Sequence, residues 1–349
     1  MIALTDELRD ALEASGLPGA AELCEVLPDV YGGSHVTGHI VGLRRLKSRV
    51  YRLQTEVSGQ VRSLVLKRSD PGPARRALLA ARRWLPALGL GDRCPQVLGT
   101  AVDPHGEWVW HIYEDLGDST LDAAKADRHH VAAAVDLIAE LHVRSAGHSI
   151  LSECRQHGGD LGAAYYAANV RDAIHRLELL QPPRIALSPE RQAVRDRLLG
   201  RLYALRDQQP HRTRLLADHG GPDVLLHGDL WTINTFVASG PRGLRARLID
   251  WDRAGVGPAS YDLSTFLYRF PPGERPWILD RYREAVARAG WRLPVARDLN
   301  VLFETAECAR YANHAISPAV ALFERAEWGF AELAEVGRWF EALQPVLPE

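Results

Sequence analysis

The chain has 349 residues and a formal net charge of −2, with 46% hydrophobic and 25% charged residues. This length allows one large domain or two lobes with an ample core. The near-neutral charge gives no indication that nucleic acid or an anionic membrane is a partner. The four cysteines are scattered and form no Cys-x-x-Cys pair, which favours reduced, mostly buried thiols.

The N-terminal residues have the pattern of an amphipathic helix that ends near Gly16. Acidic residues stand where a secretory signal would have a basic start and an apolar block. No segment reaches the ~20 consecutive apolar residues that spanning a bilayer requires. We therefore expect a soluble, cytoplasmic protein.

Residues 34–116 have the pattern of a small, mostly β lobe. Strand patterns occur at residues 35–43, 49–54, 63–67 and 107–113. The third of these ends on Lys67, one of only three lysines in the chain. From this strand alone we expect a solvated amine, so a phosphate-binding role for Lys67 depends on a motif further along the chain.

From Thr120 onward the periodicity is mainly helical. The apolar stripe over residues 129–146 includes His142, which we expect in the core rather than at a metal. Prolines and caps set the other predicted helix ends. Ser188-Pro189 predicts a helix start and Pro210 its end, which places His211 in a loop. Two further helices are predicted from Asp298 and from Ala319.

The most informative stretch is residues 224–264. A short apolar run ends on His227-Gly228-Asp229, and Asn234 follows five residues after Asp229. A second acidic pair, Asp250 and Asp252, comes later.

A β-hairpin is predicted between these acidic residues. Residues 235–239 are strand-like, 240–243 form a turn, and 244–249 alternate apolar and arginine side chains. If the turn is the whole loop, the numbers of paired residues sum to 483. Asn234 then faces Ile249, and Asp250 emerges beside Asn234.

Three oxygen-bearing side chains therefore converge: Asp229, Asn234 and Asp250. Mg²⁺ prefers oxygen ligands and usually takes only one or two from protein, while phosphates supply others. A further carboxylate can orient a hydroxyl group and accept its proton. A metal-dependent hydrolase that uses His227 is disfavoured, because no other histidines cluster with it.

The order H-G-D-L-x-x-x-N, followed by I-D-W-D-x-x-x-x-G-x-x-x-x-D-L, resembles the aminoglycoside phosphotransferase and choline kinase-like family. The spacing from Asp229 to Asn234 equals that of the kinase catalytic loop. The resemblance implies an α+β, two-lobed protein-kinase-like fold. A small β-rich N-terminal lobe would comprise residues 1–116, and a larger, mainly helical lobe residues 117–349.

The resemblance also implies residue roles. Asp229 is the expected catalytic base, while Asn234 and Asp250 are the expected ligands of Mg²⁺. Asp262 is expected to brace the catalytic loop. Lys67 corresponds to the family's phosphate-binding lysine.

ATP or GTP is the implied phosphoryl donor. The backbone at Glu114 and Leu116, in the implied hinge, is expected to pair with the purine edge. Ser48 is a candidate for phosphate contact, although the loop over residues 44–49 contains no glycine.

The helix expected over residues 74–88 contains no Glu to pair with Lys67. Either the partner comes from elsewhere or phosphate alone holds Lys67. In the second case Lys67 would be mobile without nucleotide.

The implied activity is a small-molecule kinase. We favour an antibiotic acceptor, an aminoglycoside or another hydroxyl-bearing natural product, in a resistance enzyme. The alternative is a metabolic kinase for an amino alcohol, homoserine or a sugar. A catalytically weak nucleotide-binding module is a third possibility, disfavoured by the joint presence of Asp229, Asn234 and Asp250.

The sequence does not determine whether the acceptor is cationic or uncharged. The C-terminal helices of this family commonly wall the acceptor site, and an acidic wall would suit a cation. In this chain the acidic residues of these helices are interspersed with the basic residues Arg310 and Arg325. The acidic residues are Glu304, Glu307, Glu324 and Glu327.

Overall fold

The computed structural model describes residues 4–33, 38–125, 127–241 and 243–348. The helices are α1 (Leu4–Ala14), α2 (Ala20–Tyr31), α3 (Pro71–Leu79), α4 (Leu85–Ala87), α5 (Arg128–Ser145), α6 (Leu151–Gly158), α7 (Ala163–Glu178), α8 (Pro189–His219), α9 (Ser260–Leu267), α10 (Arg275–Ala287), α11 (Ala296–Phe323) and α12 (Trp328–Ala342). The strands are β1 (Gly38–Lys47), β2 (Val50–Val57), β3 (Gln60–Ser69), β4 (Val97–Val102), β5 (Val109–Glu114), β6 (Asp223–Leu226), β7 (Thr235–Gly240), β8 (Gly243–Leu248) and β9 (Gly255–Pro258). The predicted α+β class, with a β-rich N-terminal part and a mainly helical remainder, is confirmed.

Contacts divide the chain into two compact units. The first runs to Leu121 and adds Ile233–Ala254, and the second comprises Asp122–Thr232 and the chain from Gly255 onward. A sequence boundary at residue 116 would assign the β7–β8 hairpin to the C-terminal lobe, whereas its contacts group it with the N-terminal elements.

The first unit is built on an antiparallel sheet whose described strands have the order β1-β2-β3-β5-β4. Alternate residues such as Leu53 and Leu66 are buried and pack with Leu23 and Leu27 of α2. Residues 35–37 of the first predicted strand lie outside the described residues.

The prediction of a glycine-free loop over residues 44–49 is wrong. β1 continues to Lys47, which pairs with Val50, so only Ser48 and Arg49 form the turn. Backbone pairing of β1 with β2 extends the strand further than its polar side chains suggested.

The second unit has a core of α7, α8, α11 and α12, which includes Tyr166, Leu202, Ala312 and Phe340. Cys154 and Cys308 are buried in this unit as free thiols, as are Cys24 and Cys94 in the first, which confirms the cysteine prediction.

Two predicted helix ends in this unit are wrong. The α8 helix continues through Pro210 to His219, so His211 is helical, and α11 continues through Pro318 to Phe323. An interior proline removes one hydrogen bond and crowds the preceding turn. In α11, Ala315 before the proline and Ala319 after it both belong to the core. In α8, Arg212 lies after the proline and donates to Thr305 Oγ1 of α11 at 3.0 Å. These contacts stabilise the continuous helices.

Across the described residues, no helix is long and apolar enough to cross a membrane.

Candidate active site

The β7–β8 hairpin has the predicted register. Its pairs run from Thr235–Leu248 to Gly240–Gly243, so their numbers sum to 483. The Ile249 N–H donates to the Asn234 carbonyl at 2.9 Å, which continues the pairing toward Asp250. Arg242 of the turn lies outside the described residues.

Asp250 has a left-handed backbone, with φ 68° and ψ 55°. This region is unfavourable for most L-residues, and Asp tolerates it better than bulky side chains do. The following turn is fixed by Trp251, whose Nε1 donates to the Leu248 carbonyl at 3.0 Å. Trp251 is buried. Local structure thus holds Asp250 in a strained conformation, which is common at functional sites.

Lys67 of β3 pairs with two carboxylates that follow β8. Its Nζ donates to Asp250, and to Asp252 Oδ2 at 3.2 Å. Burial opposes the charged form of Lys67, but Asp250 and Asp252 outweigh it and raise the lysine pKa. Burial, followed by repulsion from Asp250, raises the pKa of Asp252. The partner of Lys67 therefore comes from outside the helix, and the alternative of an unpaired, mobile Lys67 is wrong.

Helix α3 contributes an arginine where a kinase-like helix would supply Glu. Arg76 Nε donates to the Asp252 carbonyl at 2.6 Å. Burial lowers the pKa of Arg76, and Asp252 partly offsets this effect. Arg76 thus supports the segment that supplies the partners of Lys67. Sequence reasoning missed this role because a backbone acceptor leaves no residue signature.

A cavity of about 370 Å³ lies in the first unit. This volume is typical of a small-molecule site. Its lining comprises Leu46, Lys47, Val50, Arg52, Val65, Lys67, Ala77, Ala81, Cys94, Pro95, Tyr113, Glu114, Asp115, Leu116, Gly117, Asp118, Thr120, Ile233, Phe236, Ile249, Asp250 and Trp251. Four predicted site residues are included: Lys67, Glu114, Leu116 and Asp250. Ser48 is exposed in the β1–β2 turn and does not line the cavity.

A cavity of about 570 Å³ in the second unit is lined by residues at the start of α11 and residues 343–345. None of the predicted site residues contributes to it, so it is not the candidate site.

Glu114 is fixed at the end of β5. Its carboxylate accepts hydrogen bonds from the Gln96 N–H at 2.9 Å and from Arg247 at 2.8 Å, while its own N–H donates to the Gln96 carbonyl. Leu116, two residues later, makes no hydrogen bond through its N–H within the described parts of the chain. The side chain of Glu114 is therefore occupied, and the backbone of Leu116 remains available to a ligand edge.

The carboxylate of Asp115, between Glu114 and Leu116, is engaged with neighbouring side chains. It pairs with Arg52 at 2.7 Å and accepts from Ser63 Oγ at 2.6 Å. Arg52, a single arginine inside β2, also pairs with Asp118 at 2.8 Å and lines the cavity. Sequence reasoning missed it because strand alternation alone does not show which polar residue faces a cavity.

The predicted catalytic loop lies in the second unit, after β6. Gly228 has a φ of 81°, which favours glycine at this position. Asp229 is half-buried, and its N–H donates to His227 Nδ1 at 3.3 Å. His227 therefore contacts the loop backbone and supports its conformation.

Asp262 braces this loop, as the resemblance implied. Its buried carboxylate accepts from the N–H groups of His227 at 2.7 Å and Gly228 at 2.9 Å. His142 Nε2 lies 3.6 Å from it, and His142 Nδ1 contacts the Tyr282 hydroxyl at 2.9 Å. Burial alone would raise the pKa of Asp262, but His142 and the backbone donors outweigh it and lower the pKa. His142 is a core residue, as predicted, with an additional supporting role.

The donor set in the first unit fits Mg²⁺. Asp250 offers a partly exposed carboxylate, and the buried Asn234 carries a carboxamide one residue before β7. Among the described residues no group of three or more His, Cys, Asp and Glu forms a metal cage. Such a sparse oxygen set suits an ion that keeps water and phosphate ligands.

Residues 42–299 match the family model described as the phosphotransferase enzyme family. Among solved structures, an ethanolamine kinase from Plasmodium vivax is similar, with a TM-score of 0.58 and 12% identity over 96% of this chain and 87% of that one. The GDP and kanamycin complex of APH(2'')-IIIa has a TM-score of 0.58 and 16% identity, covering 95% and 99%.

The ADP and streptomycin complex of the aminoglycoside phosphotransferase APH(3'')-Id from Streptomyces rimosus has a TM-score of 0.51 and 20% identity, covering 84% and 99%. At these identities the likenesses establish the protein-kinase-like fold. No curated protein matches the sequence significantly.

Proposed function

The chain belongs to the phosphotransferase enzyme family, and from this premise we propose that it transfers the γ-phosphoryl group of ATP or GTP to a hydroxyl group of a small molecule. Phosphoryl transfer depends mainly on positioning and on stabilisation of charge. The observation that carries the proposal is the pairing of Lys67 with Asp250 and Asp252 at the wall of the cavity in the first unit.

In this proposal Asp229 orients the acceptor hydroxyl and takes its proton. The new bond forms between the acceptor oxygen and the γ-phosphorus, while the bond from that phosphorus to the leaving nucleoside diphosphate breaks. The hydrogen bonds from the loop to Asp262 hold the loop backbone in one conformation. This limits the reorganisation that the loop needs during the reaction.

Asn234 and Asp250 would hold Mg²⁺, which supplies positive charge to the phosphates when bound. Lys67 adds a compact charge to the same phosphates. Its contacts with Asp250 and Asp252 keep the ammonium at the cavity before the nucleotide arrives. This preorganisation replaces the helix Glu that the sequence lacks.

The cavity of about 370 Å³ is the proposed nucleotide site. The N–H of Leu116 offers a backbone donor to a purine edge, whereas Glu114 contributes through position rather than through its engaged carboxylate. Both ATP and GTP are kept as candidate phosphoryl donors, because structural neighbours are complexes with ADP and with GDP.

For the acceptor we retain an antibiotic or another hydroxyl-bearing natural product, supported by the streptomycin and kanamycin complexes of the neighbours. One observation weighs against a cationic acceptor, and so favours the homoserine or sugar form of the metabolic alternative over an aminoglycoside or an amino alcohol. Most of the acids that could attract a cation are already paired: Glu304 with Arg212 at 2.9 Å, Glu307 with Arg310, and Glu327 with Arg191 at 2.5 Å.

The test is a panel of hydroxyl acceptors with ATP or GTP in magnesium. We expect release of nucleoside diphosphate together with the gain of one phosphoryl group by an acceptor, read by mass spectrometry. Nucleotide binding without transfer to any acceptor, antibiotic or metabolic, would instead favour the catalytically weak binding module.

A further inference from the structure

An arginine stacks on an aromatic residue of the proposed catalytic loop. The Arg269 guanidinium carbon lies 3.9 Å from the centroid of the Trp231 ring. The Trp231 N–H donates to the Asp229 carbonyl at 2.8 Å. A cation is thus attached, through one side chain, to the loop that carries the proposed base.

Arg269 has no carboxylate partner within the described ranges of the chain. Its Nε is buried and has no hydrogen-bond partner. Buried donors without partners are rare, and each calls for a specific explanation, such as a catalytic role or a bound ion. Stacking on Trp231 orients the guanidinium without neutralising it.

The neighbouring charges do not compensate Arg269. Arg275 donates to the Phe270 carbonyl at 3.0 Å rather than to an acid. Burial lowers the pKa of Arg275, and repulsion from Arg269 lowers it further. Among the residues that the structure describes, neither of these two arginines after α9 forms an ion pair.

The buried acid Glu307 of α11 is already paired. Glu307 pairs with Arg310 and accepts from Ser264 Oγ at 2.8 Å, and its side chain is only 2% exposed. The Glu307 carboxylate is therefore engaged with its own partners, Arg310 and Ser264.

We propose that Arg269 binds an anionic group of the acceptor, of which a carboxylate is the simplest form. The inference rests on the proposed kinase function and assigns the substrate class: a molecule with both a hydroxyl and an anionic group. The hydroxyl contacts Asp229 while the anion pairs with the guanidinium, whose planar edge suits two parallel hydrogen bonds. These two contacts fix the orientation of the acceptor and disfavour a polycation.

The test uses three four-carbon probes that differ in charge: 4-hydroxybutyrate, 1,4-butanediol and 4-amino-1-butanol. Each is titrated, at constant ionic strength, into protein labelled with 5-fluorotryptophan. The Trp231 fluorine signal is assigned with Trp231→Phe. We expect a saturable shift of this signal with 4-hydroxybutyrate and binding roughly 10-fold tighter than for the other two probes, since hydrogen bonds between charged groups are the stronger ones.

Arg269→Gln should lose this preference, and Arg269→Lys should retain part of it. Arg338→Gln is the matched control, because Arg338 is exposed and pairs with Glu335 on α12. A preference for the amine, an unchanged anion preference in Arg269→Gln, or no probe-dependent shift would each overturn the proposal.

The experiment reads binding, so its failure leaves the proposed phosphoryl transfer intact. Conversely, anion binding at Trp231 without phosphoryl transfer to any acceptor would count against the kinase function alone.

Discussion

Lys67 shows why a buried cation needs a defined environment. Its side chain is only 18% exposed, so burial would favour the neutral amine if no acid were near. Asp250 and Asp252 supply the compensating charge, and Arg76 supports the backbone of Asp252. Removing any one of these groups leaves the others with unbalanced charge or unmet hydrogen bonds.

Lys67→Ala should therefore weaken the nucleotide site. We expect the nucleotide KM to rise by roughly 10-fold or more and kcat to fall, because a hydrogen bond to a charged group contributes about 1.5–3 kcal/mol. The acceptor KM should change little. Lys67→Arg should rescue poorly, since a guanidinium differs in shape from an ammonium.

Lys125→Ala is the control for this measurement, because the Lys125 side chain is 85% exposed. Steady-state kinetics of the three variants decide the matter. Unchanged nucleotide kinetics in Lys67→Ala would transfer the phosphate-binding role to another cation of the cavity, such as Arg52.

Asp229→Asn tests the proposed base. The change preserves shape but removes the proton acceptor, and general-base catalysis typically contributes about 10²–10⁴-fold. We expect kcat to fall by that order while nucleotide affinity, measured by calorimetry, stays the same. Wild-type turnover in this variant would remove Asp229 from the mechanism.

At the level of elements, local patterns predicted pairing better than they predicted ends. Alternation and a short turn were sufficient for the register of β7 and β8, because a one-residue slip would reverse every side chain. The prolines in α8 and α11 did not end those helices, because tertiary packing outweighs a local propensity.

The acidic partners of Lys67 illustrate what a motif leaves open. The motif around Asp250 indicated that this residue belongs to a functional site. Its ion pair with Lys67 depends on how β3 packs against the segment after β8, which the motif does not show. That information lies in contacts between residues far apart in the chain, as for Asp262 with the loop at His227.

Gly99 provides a test of packing between α2 and β4. A Cβ at Gly99 would lie 2.9 Å from Val26 Cγ1, 3.1 Å from Val30 Cγ2 and 3.1 Å from Ile112 Cδ1. Gly99→Ala should therefore lower the free energy of unfolding by about 1–3 kcal/mol, as overpacking usually does.

Gly42→Ala is the matched control on β1, because a Cβ there meets no atom within 4 Å. Urea unfolding of both variants gives the comparison. Equal stabilities would indicate that α2 can move away from the sheet at little cost.

On the scale of the whole molecule, the first unit is assembled from two separate stretches of the chain. Residues up to Leu121 contribute the sheet, and Ile233–Ala254 contribute the hairpin with Asp250. The proposed nucleotide cavity is lined by both stretches, so a bound nucleotide would contact residues distant in sequence. Ligand binding should consequently stabilise this unit as a whole, by an amount that grows with the logarithm of the ligand concentration.

Asp250→Ala tests this coupling together with the metal site. For the wild type, Mg²⁺ and ADP at about 100 times the dissociation constant should raise the free energy of unfolding by about 2.7 kcal/mol. The variant should lose the Mg²⁺-dependent part, because it lacks the proposed anionic ligand, whereas Asn234→Ala should lose less because a neutral ligand attracts the ion less strongly. Thermal unfolding with ADP and either Mg²⁺ or EDTA measures the effect, and Asp280→Ala, which changes an exposed acid on α10, is the control. Full magnesium-dependent stabilisation of Asp250→Ala would show that the metal is held elsewhere, and would leave Asp250 only its ion pair with Lys67.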